Sequence, residues 1–316
     1  MSSELFNLQK PFSQVVLQSG VAPLTVRGMA HQNNIYAKII KHLGIDNLSS
    51  REERIEKLRS VSVEDLIGSY IALGSPVPSF QATVDGYYLK SLPRCSTLPK
   101  QVYDPSLKRL LIGDCADEGL IFAPIIQSMG WTAERLQKVA TGILGDADGQ
   151  KLLDIYQIKP GQSPKEVFSS LIRLTTDIDW SQPMEAVARS FSNGDVFYYH
   201  VTETNPFPGP STGRAHHGVD LLFNFLTYEE HLSVEQQKLS RAMARRWISF
   251  ICGEDPWTPY DQKQGTIMLF GDGGKATEMQ ESNKSSWKRL RLVEGLQDKA
   301  TDLTAAIKGF EVIYDK

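Results

Sequence analysis

The chain has 316 residues, 41% hydrophobic and 22% charged, with a formal net charge of -3. That composition suits a globular protein with a sizeable core and argues against a disordered chain. With no basic excess there is no field to draw in nucleic acid or an anionic membrane, so neither is an expected partner, and small neutral or mildly polar ligands are.

The three cysteines, Cys95, Cys115 and Cys252, lack the C-x-x-C spacing of a zinc or thioredoxin-like site and suggest a reducing compartment. No metal and no organic cofactor is implied. The opening residues carry no signal-peptide pattern, and no apolar run approaches the roughly 18 residues needed to span a bilayer. As written, the chain reads as cytoplasmic.

In chain order, "FSQVVLQSG" (Phe12 to Gly20) predicts a short buried strand, because Val15, Val16 and Leu17 form an apolar β-rich run closed by a polar turn. Amphipathic helical patterns follow at Ile35 to Ile45 and again from Ser49, with Ser49 and Ser50 as candidate N-caps. The Pro- and Gly-rich stretch 74–93 reads as a loop-dominated excursion. Leu110 to Gly113 predicts a second strand, with the polar run "DCADE" just past its end, where α/β folds place chemistry.

Residues from about Trp131 to Ser192 are helical in pattern, interrupted at Pro160, Pro164 and Pro183, and predict a covering layer of helices. Asp195 to Glu203 is an aromatic and β-branched third strand in which Phe197, Tyr198 and Tyr199 are expected in the core. "VDLLFNF" after His217 starts a helix, and "SVEQQKLSRAMARRWISFICG" is a long amphipathic one. "TIMLF" is a last strand candidate. The stretch after it, "GDGGKATEMQESNKSS", reads as flexible, with Gly271 to Gly274 as a surface loop. Strands separated by long helical segments predict a parallel α/β sheet of three or four strands.

Two features of "PGPSTGRAHHG" suggest hydrolase chemistry. Gly209, Ser211 and Gly213 match G-x-S-x-G, but Ser211 follows Pro206, Pro208 and Pro210 rather than a strand, and no apolar helix follows it. A nucleophile elbow needs both neighbours, so Ser211 reads as a loop serine. His217 lies on a loop between a strand and a helix and precedes Gly218, which lets the backbone bend around the imidazole; that placement suits a general base. His216 is equally open by position. Among the acids after the second strand, Asp114 and Asp117 fit helix N-caps, and Glu118 sits one step too late for one.

The blocks "FSQVVLQSG", "VDGYYL", "LLIGDCADEGLIF", "HHGVDLLFNF" and "RRWISFICGEDPWTPY", in that order from Phe12 to Tyr260, resemble the C-terminal half of the type-B carboxylesterase/lipase family, the cholinesterase-like α/β-hydrolases. The resemblance implies a partial α/β-hydrolase fold: the last strands of a mostly parallel sheet with a large helical layer, residues 1–316 forming one C-terminal portion and about 131–192 covering it. It assigns the triad acid to Glu118 and the general base to His217, with Asp220 as a nearby acid on the following helix. It matches Ser19 to a non-nucleophilic serine close to the triad.

The family order of serine, acid and histidine puts the nucleophile upstream of "FSQVVLQSG", so the nucleophile elbow and the oxyanion loop are expected to be absent from these residues. The implied function is a serine-type carboxylic ester hydrolase that is truncated and close to inactive alone. It would act on a small-molecule ester once an N-terminal half completed it. The alternative is a non-catalytic pseudoenzyme or interaction module, for which the uncovered "QVVLQ" edge invites a protein partner or self-association.

Overall fold

A computed structural model of the chain describes residues 12–21, 26–74, 82–87 and 89–310. In chain order its strands are β1 (Gln14–Gln18), β2 (Arg27–Gly28), β3 (Thr83–Val84), β4 (Arg109–Cys115), β5 (Asp195–Val201), β6 (Thr266–Gly271) and β7 (Lys275–Gln280). Two compact units separate: Thr25–Leu92 is one, and Ser3–Leu24 with Pro93–Lys316 is the other.

Among its described residues the smaller unit holds three helices, Met29–His42, Arg51–Ser60 and Val63–Ala72, and the two-residue parallel pair β2 and β3. Ser50 caps the second helix with a full capping box, its hydroxyl accepting from the Glu53 N–H while the Glu53 carboxylate accepts from the Ser50 N–H. A second cap at Ser62 splits the continuous helical pattern of the sequence into two helices. Of the loop excursion 74–93, residues 75–81 and 88 lie outside the described residues.

The larger unit is built on a five-stranded sheet of order β1-β4-β5-β6-β7. The first four strands run parallel, and β7 returns antiparallel to β6. Side chains alternate across the pleat, so each strand feeds two cores. Leu111, Phe197, Tyr199, Met268 and Phe270 face one side with Met243, Trp247 and Phe250 of the helix Val234–Ile251. Leu110, Ile112, Val196, Tyr198 and Ile267 face the other, where Met184 and Val187 of the helix Gln182–Ser190 pack. Phe197, Tyr198 and Tyr199 are core, as the sequence suggested.

The tail departs from expectation. "KATEMQ" is not flexible: Gly271 to Gly274 turn the chain into a hairpin, and β7 pairs with all of β6. Its polar residues are exposed because β7 is an edge strand, and the missing apolar alternation hid it. Two further helices, Ser285–Leu292 and Gln297–Ile307, follow.

The stretch read as helical forms the helices Ala133–Leu144, Asp146–Ile155, Pro164–Thr176 and Gln182–Ser190. Between the last two lies one π-helical turn, Asp177–Ser181, in which the Gln182 N–H reaches the Asp177 carbonyl five residues back. All five of its residues are buried, two of them carboxylates, so their charges need internal partners. Arg289 pairs with Asp177 at 2.6 and 3.1 Å. Lys308 and the Thr304 hydroxyl hold Asp179, the latter at 2.6 Å. The Ser181 hydroxyl donates to Asp114 at 2.6 Å, and Lys284 contacts both oxygens of Asp114 at 2.8 and 2.7 Å. His200 completes that cluster at 2.7 Å.

Burial alone would push the Asp114 carboxyl up, but the Lys284 and His200 charges outweigh it and hold it well below the usual carboxylate range. A depressed carboxylate adds stability that is present above its unfolded value of about 3.9 and lost as pH falls through the folded one. Lys284→Met leaves the Asp114 charge buried with fewer partners. It is expected to cost about 3–5 kcal/mol at neutral pH, read as a lower urea midpoint.

Candidate active site

In a parallel sheet the carboxyl ends of neighbouring strands lie side by side, so loops leaving them meet at one edge. β1 pairs with β4 up to Gln18 and Gly113, and β4 pairs with β5 up to Cys115 and Val201. Ser19 follows β1, Glu118 follows β4, and the loop carrying His217 follows β5. The topology therefore brings together three residues that are about a hundred positions apart in sequence.

Glu118 opens a short 3-10 turn, Glu118–Phe122, and its side chain is fully buried. Three donors answer its charge. The Ser19 hydroxyl donates to Oε1 at 2.5 Å and the Cys115 N–H to the same oxygen at 2.6 Å. His217 Nδ1 meets Oε2 at 2.6 Å. Facing a carboxylate, Nδ1 is the nitrogen that carries the proton, which leaves Nε2 as the acceptor of the neutral ring. Among the described residues none hydrogen-bonds Nε2, and the His217 side chain keeps 32% exposure.

The neighbouring glycine is required where it stands. A Cβ at Gly119 would sit 2.5 Å from the Ile172 carbonyl, because the helix Pro164–Thr176 passes directly over the turn. That helix also accepts the Gly119 N–H on the Thr176 hydroxyl at 2.9 Å.

The histidine loop is stitched to the acid turn. The Ala116 N–H donates to the Val201 carbonyl at 2.9 Å, and the Asp117 N–H to the Ala215 carbonyl at 2.8 Å. Arg214 grips both Asp117 oxygens at 2.9 and 2.6 Å. Gly218 then takes a left-handed φ of 80°, which turns the chain into the helix Val219–Asn224. Asp117 occupies the N-cap position of the Glu118–Phe122 turn, but its side chain makes no capping hydrogen bond and pairs with Arg214 instead, while Asp114 lies inside β4 and belongs to the Lys284 cluster.

His216 and His217 separate clearly. The His216 ring bonds to the carbonyl of His217 at 2.8 Å, whereas His217 reaches the buried acid. Ser211 lies in a turn closed by the Gly213 N–H on the Asn205 carbonyl at 2.8 Å, with neither a strand before it nor a helix after it. Asp220 is buried and accepts from Gln18 Nε2 at 3.0 Å and from the Tyr199 hydroxyl at 3.1 Å. It acts on His217 through its charge.

Burial lowers the affinity of the His217 ring for a second proton, but the hydrogen bond and charge of Glu118, with the charge of Asp220, outweigh it, so its pKa stands above the ordinary imidazole value. Cys115 is inert by contrast. Burial first, then the Glu118 and Asp220 charges, push its thiol well above the usual range. Trp180 is the site residue that sequence reasoning passed over. Its indole N–H donates to the Ser19 carbonyl at 3.0 Å, and its ring lies 5.8 Å from that of His217. A tryptophan between acids in a helical stretch carries no signal of that role.

Among the described residues no group of His, Cys, Asp and Glu is placed to hold a metal ion, and no helix is long and apolar enough to cross a membrane.

Known proteins share this arrangement of elements. The family model for the carboxylesterase family matches residues 2–288. Lipase 3 of Yarrowia lipolytica (strain CLIB 122 / E 150) is 31% identical over 160 residues, covering 48% of this chain and 29% of that protein. A PNB esterase structure superimposes with a TM-score of 0.63 at 21% identity, covering 88% of this chain and 58% of that one. The Geobacillus stearothermophilus carboxylesterase at pH 6.2 does so with a TM-score of 0.66 at 19% identity, with the same 88% and 58% coverage. The chain therefore spans less than two thirds of these relatives' lengths. Its α/β architecture, with a mostly parallel sheet and many helices, is theirs, and the chain belongs to the carboxylesterase family.

Proposed function

We propose that the chain carries the acid and base of a carboxylic ester hydrolase that works through an acyl-enzyme on small-molecule esters. Glu118 fixes the tautomer of His217 and stabilises the imidazolium. His217 Nε2 takes the proton from a serine hydroxyl as that oxygen attacks the ester carbonyl, then returns it to the leaving alcohol, and water hydrolyses the acyl-enzyme by the same proton relay. The nucleophile and the oxyanion donors come from polypeptide outside these 316 residues, so the chain alone turns over esters barely or not at all. The observation that carries this reading is the 2.6 Å contact of His217 Nδ1 with a fully buried Glu118, in a ring that remains about a third exposed and keeps Nε2 as its acceptor.

A second reading, a non-catalytic module of the same fold that binds a protein or a second copy, draws on one feature. Among the described residues no strand pairs with the outer edge of β1, where Val15, Val16 and Leu17 are only half-buried. A serine-directed fluorophosphonate that labels Ser19 or Ser211 of the purified chain would overturn the placement of the nucleophile elsewhere.

Three outcomes are expected for the hydrolase reading. Glu118→Gln removes the largest influences raising the His217 pKa, so the midpoint in an imidazole NMR titration falls; an unmoved midpoint sinks the acid–base pair. Joined in frame to an N-terminal segment bearing a G-x-S-x-G elbow, the chain hydrolyses p-nitrophenyl acetate, and His217→Ala lowers kcat by about 10⁴-fold or more. In that fused protein activity rises with pH through a midpoint above the ordinary imidazole value of about 6.5, because the base must be neutral.

A further inference from the structure

Ser19 is held in an unusual conformation. Its φ is 51°, in the left-handed region that a serine seldom occupies, and it is buried. A residue there stays only if its surroundings over-determine it. Its N–H continues the ladder to the Gly113 carbonyl at 2.9 Å, its hydroxyl reaches Glu118 at 2.5 Å, and its carbonyl accepts the Trp180 indole N–H at 3.0 Å. The first of these is backbone pairing that any residue would make. The indole bond is the side-chain contact that fixes the orientation of the peptide leaving Ser19.

Trp180 itself has little freedom. It is 2% exposed and sits in the π turn Asp177–Ser181, whose acids and serine are tied by Arg289, by Lys308 with Thr304, and by Asp114 with Lys284. Its ring also packs on Phe122, centroids 5.7 Å apart, within the same turn that Glu118 opens. The indole N–H is therefore presented from a fixed frame.

We infer that Trp180 is a positioning residue: through its hydrogen bond to the Ser19 carbonyl it holds Ser19 in the left-handed turn, so that the Ser19 hydroxyl stays on Glu118 and shares the carboxylate that His217 also contacts. This rests on the reading of Glu118 and His217 as the acid–base pair. Lys284, Arg289 and Lys308 support it at one remove by fixing the turn that carries Trp180. Without the indole N–H, the strain at Ser19 relaxes and the hydroxyl leaves the carboxylate. A carboxylate that loses a donor is a stronger acceptor toward its remaining partners, so it holds the His217 proton more tightly.

That direction separates positioning from mere packing. The charged groups facing His217 are Glu118 and Asp220, and the ring contact with Trp180 favours the imidazolium by cation–π attraction, which is stronger for tryptophan than for phenylalanine. If the ring contact were all that mattered, Trp180→Phe would lower the His217 pKa. Acting through Ser19 and Glu118, the same substitution raises it.

The experiment is an NMR titration of the His217 imidazole in the 316-residue chain and in the variants W180F, S19A, W180F/S19A and E118Q. The expected result is an upward shift in W180F, an upward shift at least as large in S19A, a double variant no higher than S19A, and a downward shift in E118Q. W180F unchanged or shifted down, S19A unchanged, or additive shifts in the double variant overturns the inference while the E118Q result stands. An unmoved E118Q midpoint overturns the acid–base reading, and the inference with it.

Discussion

A carboxylate with no access to water can keep its charge only if donors are already waiting for it, and Glu118 is that carboxylate here. Its three donors come from three different strands' ends: the Ser19 hydroxyl after β1, the Cys115 N–H at the end of β4, and His217 after β5. The requirement to satisfy one buried side chain therefore ties the sheet's register to the placement of the imidazole. A slip of one residue in β1 against β4 would move Ser19 to the wrong face of the sheet and remove a donor.

The same logic recurs one layer out. The π turn buries two acids and a tryptophan together, which an apolar turn would not need help to do. The cations that answer those acids are Arg289, on the helix Ser285–Leu292, and Lys308, just past the helix Gln297–Ile307, so the tail residues back the site without touching it. Such pairs are costly to bury and more costly to break, which makes the geometry specific rather than merely stable.

Much of this was legible before any coordinates. Apolar β-rich runs located β1, β4, β5 and β6, and the order of five sequence blocks pointed to Glu118 and His217, which the fold brings to within 2.6 Å of one another. The proline run set Ser211 aside, and Ser211 lies in a turn with neither a strand directly before it nor a helix directly after it. What escaped reading has one physical character: it depends on partners far along the chain. Asp177 and Asp179 look like solvated charges until Arg289 and Lys308 are brought to them. β7 is polar because it is an edge, and the Asp114 and Asp117 side chains read as capping groups only while their basic partners are out of view. The tail helices did leave a signal, since Leu290, Val293, Leu296, Ala300, Leu303 and Ile307 recur at helical spacing and all are buried.

The distances along the chain between these partners bear on the order of assembly. Lys284 lies 170 residues from Asp114, Lys308 lies 129 from Asp179 and Arg289 lies 112 from Asp177. Emerging from the ribosome, the acids of the π turn are synthesised well before the cations that neutralise them, and loop closure over such spans is slow. The strands can pair early, but the turn that carries Trp180 has to wait for residues 284–308. The edge of the sheet that carries Ser19, Glu118 and His217 is thus expected to become rigid only in the closing stage of folding, and a nascent chain halted before residue 284 would have its strands in place and His217 unset.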